Sequence, residues 1–184
     1  MISRRRVLAL ALLAALAVAG TTSNPQVASA ADIDADVDAT LSKFFRQIRG
    51  SRELVRDAAA VLVFPSVVKA GIGIGGEYGE GALLVHGRPA GYYNTVSASI
   101  GFQLGAQARS IIIVFMTEDA LAGFRRVNGW KVGVDGSVAL ITLGAGGSID
   151  TSRIAAPIVG FIFDGKGLMY NLTLEGSKIS RIAR

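Results

Sequence analysis

V-L-V-F-P-S-V-V-K-A-G-I-G-I-G-G-E-Y-G-E-G-A-L-L, from Val61 to Leu84, decides how this chain folds. Apolar residues without helical spacing run up to Pro65, and glycines then recur among isoleucines, a pattern of β-structure in which the chain must curl. Further on, Ser97, Ser99, Gly101, Gln103, Gly105 and Gln107 alternate with Ala98, Ile100, Phe102, Leu104 and Ala106, which predicts a strand with one apolar and one small, polar side. Ser110 to Phe115 is apolar on both faces, as in a strand covered on both sides. Thr117 then caps a helix carrying Glu118 and Asp119 in its first turn and Leu121 and Phe124 on its inner face.

Upstream, Val37, Leu41, Phe44, Phe45 and Ile48 recur at helical spacing, which predicts a helix over 34–48 with Asp34, Asp36 and Asp38 in or before its first turn. Gly50 ends it, and Ser51 is the expected N-cap of a second, short helix holding Leu54 and Val55. Downstream, short strands are expected at 130–134, 138–143, 158–163, 168–174 and 177–182, separated by Asp135-Gly136, Gly144–Gly147 and Asp164-Gly165. Twenty-three glycines in 184 residues are nearly double the usual ~7%. The expected fold is mainly β within an α+β class: a small antiparallel β-barrel or strongly coiled sheet, with N-terminal helices and one further short helix packed on it.

Residues 1–30 read as a signal peptide. Arg4, Arg5 and Arg6 precede an apolar stretch from Val7 to Ala19, and Ala28-Ser29-Ala30 fits a cleavage site. The apolar stretch is shorter than the about 20 residues needed to span a bilayer. Ser3-Arg4-Arg5-Arg6 also suits the twin-arginine route, and the general secretory route fits nearly as well. A periplasmic or secreted product follows, with residues 31–184 as its single domain. The three arginines leave with the signal, so the formal charge falls from +5 to +2, too mild to argue for nucleic acid. With no cysteine in the chain, neither a disulfide nor a lipid anchor on cysteine is available.

Several motifs are weaker than they look. Gly71, Gly73 and Gly76 satisfy G-x-G-x-x-G, but Glu77-Tyr78-Gly79-Glu80-Gly81 does not open a helix. Asp32, Asp34 and Asp36 mimic a calcium loop, yet Val37 and Lys43 stand where glycine and glutamate belong. His86, the single histidine, sits at an expected hairpin end without metal-ligand or nucleophile partners. Glu77 and Glu80 are close enough in sequence to be imagined as an acid–base pair. Asn171-Leu172-Thr173 matches a glycosylation acceptor inside an apolar strand. No cofactor, metal or enzymatic activity is expected.

Lys43, Arg46, Arg49, Arg52 and Arg56 recur every three or four residues across the two N-terminal helices. Such a stripe suits an anionic membrane surface, and it equally suits a solvated helix face whose other side packs on the sheet. Lys178, Arg181 and Arg184 form a second basic edge with the same two readings.

With Gly129-Trp130-Lys131-Val132-Gly133 and G-L-M-Y-N-L-T-L-E-G-S-K-I (Gly167 to Ile179), these blocks resemble the SYLF domain, a lipid-binding module, over roughly residues 40–182. In that family G-E-Y-G-E-G is a signature, which implies that Glu77 and Glu80 help fix a turn. The resemblance also implies lipid binding, since eukaryotic SYLF domains are associated with phosphoinositides through their N-terminal region and basic residues. The expectation is a non-enzymatic phospholipid-binding protein of the bacterial cell envelope. Its basic N-terminal helix would meet phosphatidylglycerol or cardiolipin, with an acyl chain entering between helix and barrel. The alternative is a structural or interaction module that binds an envelope protein through the Gly/Ser/Gln strand face. Actin, implied by some names in the family, is not an expected partner of an exported protein.

Overall fold

The computed structural model describes residues 28–101, 107–141, 149, 154–163 and 173–184. The expected signal segment as far as residue 27, most of the strand expected at 168–174, and the turns at 144–147 and 164–165 lie outside them.

Three helices, α1 (Ala30–Gln47), α2 (Ser51–Asp57) and α3 (Glu118–Arg126), accompany seven strands: β1 (Ala60–Val85), β2 (Arg88–Gly101), β3 (Gln107–Phe115), β4 (Trp130–Lys131), β5 (Ala139–Leu140), β6 (Ile158–Phe163) and β7 (Lys178–Ile182). The strands form one sheet in the order β4-β7-β2-β1-β3-β6-β5, antiparallel except where β5 joins β6. β4 and β5 stand at opposite ends of that order, so the sheet is an open, strongly curled half-barrel, the second of the two expected forms.

Its organising unit is one long bent hairpin. β1 pairs with β2 from Val85↔Arg88 to Gly73↔Gly101, and with β3 from Lys69↔Gln107 to Ala60↔Phe115. The turn between the arms is His86-Gly87, at φ 50° and 75°. A two-residue turn with both φ positive matches the right-handed twist of the arms. Pro65 does not end the strand: β1 continues through it, with a shift of register between Phe64 and Val67. A bulge is where a strand tolerates proline, whose missing N–H would otherwise break the ladder. The Ser110 hydroxyl donates to the Pro65 carbonyl at 2.7 Å.

Curling brings the two limbs of β1 face to face, and glycine makes the approach possible. A Cβ at Gly79 would lie 2.7 Å from the Ser66 carbonyl oxygen, and one at Gly81 would lie 1.9 Å from that of Val63. G-E-Y-G-E-G therefore does not fix a turn. It is mid-strand, where one limb of the hairpin packs on the backbone of the other.

Two cores result, one on each side of the sheet. Inside the curl, Leu62, Phe64, Leu83, Ile111, Ile113 and Phe115 pack with Leu121 and Phe124 of α3 and with Trp130. Outside, Val61, Val63, Leu84, Ile112, Val114 and Phe161 pack against Val37, Leu41, Phe44 and Leu54 of α1 and α2. β3 is thus covered on both faces, as its composition predicts. α3 starts as expected, the Thr117 side chain accepting from the Ala120 N–H.

α1 begins earlier than its apolar period suggests. Ser29 is its N-cap and forms a capping box with Asp32, so Asp34, Asp36 and Asp38 fall beyond the first turn. Hydrogen bonds from Ser29 hold the Asp32 carboxyl below its usual range. The expected cleavage point after Ala30 lies just inside this helix, so cleavage there would remove the cap. Ser51 is not the N-cap of α2. Gly50 takes that place at φ 81°, while the buried Ser51 hydroxyl donates to the Ile48 carbonyl at 2.5 Å and so closes the end of α1. Phe45 departs from the expected inner face, because it is only half-buried.

Candidate functional site

α1 is electrostatically polarised. Its first half carries Asp32, Asp34, Asp36 and Asp38, and its basic residues begin only at Lys43. The acidic end approaches β2, where the Tyr92 hydroxyl donates to Asp34 at 3.0 Å. The basic end lies over β6, where Phe44 meets Phe161 at 4.9 Å between ring centroids.

The structure places the five predicted residues around this basic end. Arg46, Arg49, Arg52 and Arg56 are exposed, and Lys43 is half-buried. Lys43 Nζ lies 5.5 Å from the centroid of the Phe163 ring, and the Arg52 guanidinium lies 4.7 Å from that of Phe45. The second contact spans the α1–α2 junction and holds Arg52 on the outer side. Arg56 pairs with Asp57 at 2.8 Å, an exposed pair that offsets its charge. Arg46, Arg49 and Arg52 are thus exposed at the end of the helix pair that leaves Phe45 and Val55 half-buried, with the apolar side of both helices committed to the sheet.

Glu77 and Glu80 do not form an acid–base pair. Three residues along a strand put side chains on opposite faces. Glu77 points into the curl, where it is ion-paired with Arg109 of β3 and accepts from the Ser97 hydroxyl at 3.1 Å. Glu80 points outward to Arg184 and accepts from the Tyr78 hydroxyl at 2.5 Å. Burial pushes the Glu80 carboxyl up, but the hydrogen bonds from Arg184 and Tyr78 outweigh it and hold the group below its usual range. Among the described residues no three His, Asp or Glu side chains are grouped as metal ligands would be.

On the small, polar side of β2, Ser97 does not face solvent as a docking strip would. Ser97 turns inward to Glu77, while Val96 and Ala98 are exposed on the other side. Val96 lies opposite Tyr78 and joins Val68, Pro65 and Ile33 in an apolar groove of about 590 Å³ beside the start of α1. Ile33 and Arg46 are separated by about 20 Å along the helix. Among the described residues the groove is lined by Asp36, Glu77 and Glu80 and by no cation. It therefore does not continue the basic cluster.

One grouping has no counterpart in the sequence reading. Arg125 and Arg126, at the end of α3, meet Arg181 and Arg184 of the C-terminal edge around a cleft of about 990 Å³. Helix and edge are more than fifty positions apart, and only the docking of α3 brings them together.

Residues 96–183 match the family model described as "Ysc84: Las17-binding protein actin regulator". This is the SYLF family that the sequence resembles, and the match takes in α3 and every strand from the end of β2 onwards. Arg125, Arg126 and Arg181 of the cleft lie within the matched segment; Arg184 and the β2 wall at Ala90–Tyr93 lie outside it, and the basic end of α1 and α2 lies ahead of it. None of the curated proteins matches the chain.

Proposed function

We propose that this protein is a non-enzymatic phospholipid-binding protein of the bacterial cell envelope, periplasmic or secreted after cleavage of its signal segment. Contact is peripheral, through the basic end of α1 and α2. The observation that carries this reading is the exposure of Arg46, Arg49 and Arg52 at the end of the helix pair that leaves Phe45 and Val55 half-buried, with Arg52 over the Phe45 ring. Guanidinium groups at that level meet lipid phosphates, while Phe45 and Val55 approach the acyl boundary. Each basic residue near an anionic bilayer contributes about 1 kcal/mol, so three supply about 3 kcal/mol. No helix of the described residues is long and apolar enough to cross a membrane. The distance of the apolar groove from these cations favours binding to a bilayer surface over extraction of a single lipid.

Sedimentation with vesicles tests this directly. The protein should pellet with phosphatidylglycerol-rich vesicles at low salt and stay in solution with phosphatidylcholine. Raising the ionic strength to about 1 M shortens the screening length to about 3 Å and should release it. Absence of vesicle binding at low salt would overturn the proposal. The alternative, an interaction module, would then take its place, with the exposed Tyr78–Val96 pair as its docking surface.

A further inference from the structure

The cleft at the end of α3 carries charge that the N-terminal contact does not use. Arg125 and Arg126 come from the last turn of α3, and Arg181 comes from β7, opposite Tyr93 of β2. The Arg181 guanidinium lies across Gly91, where a Cβ would stand 3.5 Å from its Nε. The floor is aromatic: the Tyr93 and Phe124 rings are 5.1 Å apart. Among the described residues no aspartate or glutamate lines the cleft. Arg184 is committed to Glu80. Among the described residues Arg125, Arg126 and Arg181 have no acidic partner, and all three are exposed.

Cations in the last turn of a helix offset its dipole, which accounts for Arg125 and Arg126. It does not account for Arg181, which belongs to a different element, nor for a lining without acids. Like charges gathered in a concave site repel one another unless an anion joins them. Three guanidinium forks suit a tetrahedral oxyanion, which they engage through paired N–H donors. We infer that this cleft is a second binding site, specific for a phosphate group carrying at least two negative charges, whether a lipid head group or a soluble phosphate compound. It is separate from the membrane contact: β1 and β3 and the acidic start of α1 lie between the two. The inference therefore stands or falls independently of the vesicle proposal.

Calorimetric titration of the full chain with sodium pyrophosphate and with glycerol 3-phosphate tests it. The expected result is saturable one-to-one binding of pyrophosphate. Arg125→Gln with Arg181→Gln should weaken it by about tenfold or more, since charged hydrogen bonds are lost. Arg46→Glu, Arg49→Glu and Arg52→Glu together should leave it unchanged. Glycerol 3-phosphate binding, with weakened binding to phosphatidic acid vesicles in the double variant, assigns a lipid head group. Pyrophosphate binding with unaltered vesicle binding assigns a soluble phosphate. Should the double variant not fold, Arg126→Gln at the exposed helix end gives the same comparison. No saturable binding by wild type, or equal binding by a folded cleft variant, overturns the inference.

Discussion

Glu77→Ala should destabilise the protein by about 3–5 kcal/mol, the range found when one partner of a buried ion pair is removed. The Glu77 and Arg109 side chains retain only 10% and 14% of their exposure, and Arg109 sits inside the curl with its Nε already lacking a partner. Deleting the carboxylate strands a guanidinium that water reaches poorly and leaves the Ser97 hydroxyl without its acceptor. At 2–4 °C per kcal/mol for a chain of this size, the melting temperature should fall by about 10 °C. Replacing both partners by apolar residues, Glu77→Met with Arg109→Leu, should cost less than the single change, because no buried charge is left alone. A loss below about 1 kcal/mol for Glu77→Ala would mean that the pair does not join the limbs of the half-barrel.

Gly81→Ala should cost about 3 kcal/mol or more, the upper end of overpacking penalties. The added methyl would meet the Val63 carbonyl oxygen at 1.9 Å and its carbon at 2.8 Å. Both are backbone atoms of the facing limb, so relief requires the limbs to separate. Gly76→Ala, in the same motif, provides the contrast. Its Cβ would find only the Ser97 carbonyl oxygen at 3.7 Å, an ordinary contact, and the change should fall within about 0.5 kcal/mol. Denaturant unfolding of the two variants side by side measures the difference. Equal stability would contradict the face-to-face packing of the limbs.

What was legible in the sequence is what depends on neighbours in sequence. β6 occupies the span its apolar run predicts, α3 begins at its threonine cap, and the hairpin turns at His86. The curled sheet follows from glycine among isoleucines. What was not legible depends on contacts made at a distance. The proline in β1 looks like a break because its bulge exists only in relation to β3. Ser97 of β2 looks solvent-facing because the ion pair that draws it inward spans three strands. The start of α1 is hidden from the apolar period because its first turn lacks large apolar residues, although Ser29 followed by an acid three positions on is a capping signal. The five basic residues of the N-terminal helices were visible as a pattern. That Arg56 is offset by Asp57 and that Lys43 is half-buried required the structure. The arginine cleft had no local signal beyond two adjacent arginines at a helix end.

The central claim, that the N-terminal arginines hold the protein on anionic membranes, is tested most directly by reversing them. Arg46→Glu, Arg49→Glu and Arg52→Glu alter exposed side chains and leave Val37, Leu41, Phe44 and Ile48 on the sheet. Arg52→Glu gives up its contact with Phe45, so thermal unfolding must accompany the measurement. Loss of about 3 kcal/mol of attraction alone corresponds to more than about a hundredfold in affinity, and the new repulsion adds to it. Sedimentation with phosphatidylglycerol-rich vesicles at low salt should therefore pellet wild type and leave the folded triple variant in solution. A folded triple variant that pellets as wild type does would contradict the account and reduce these arginines to a solvated helix face.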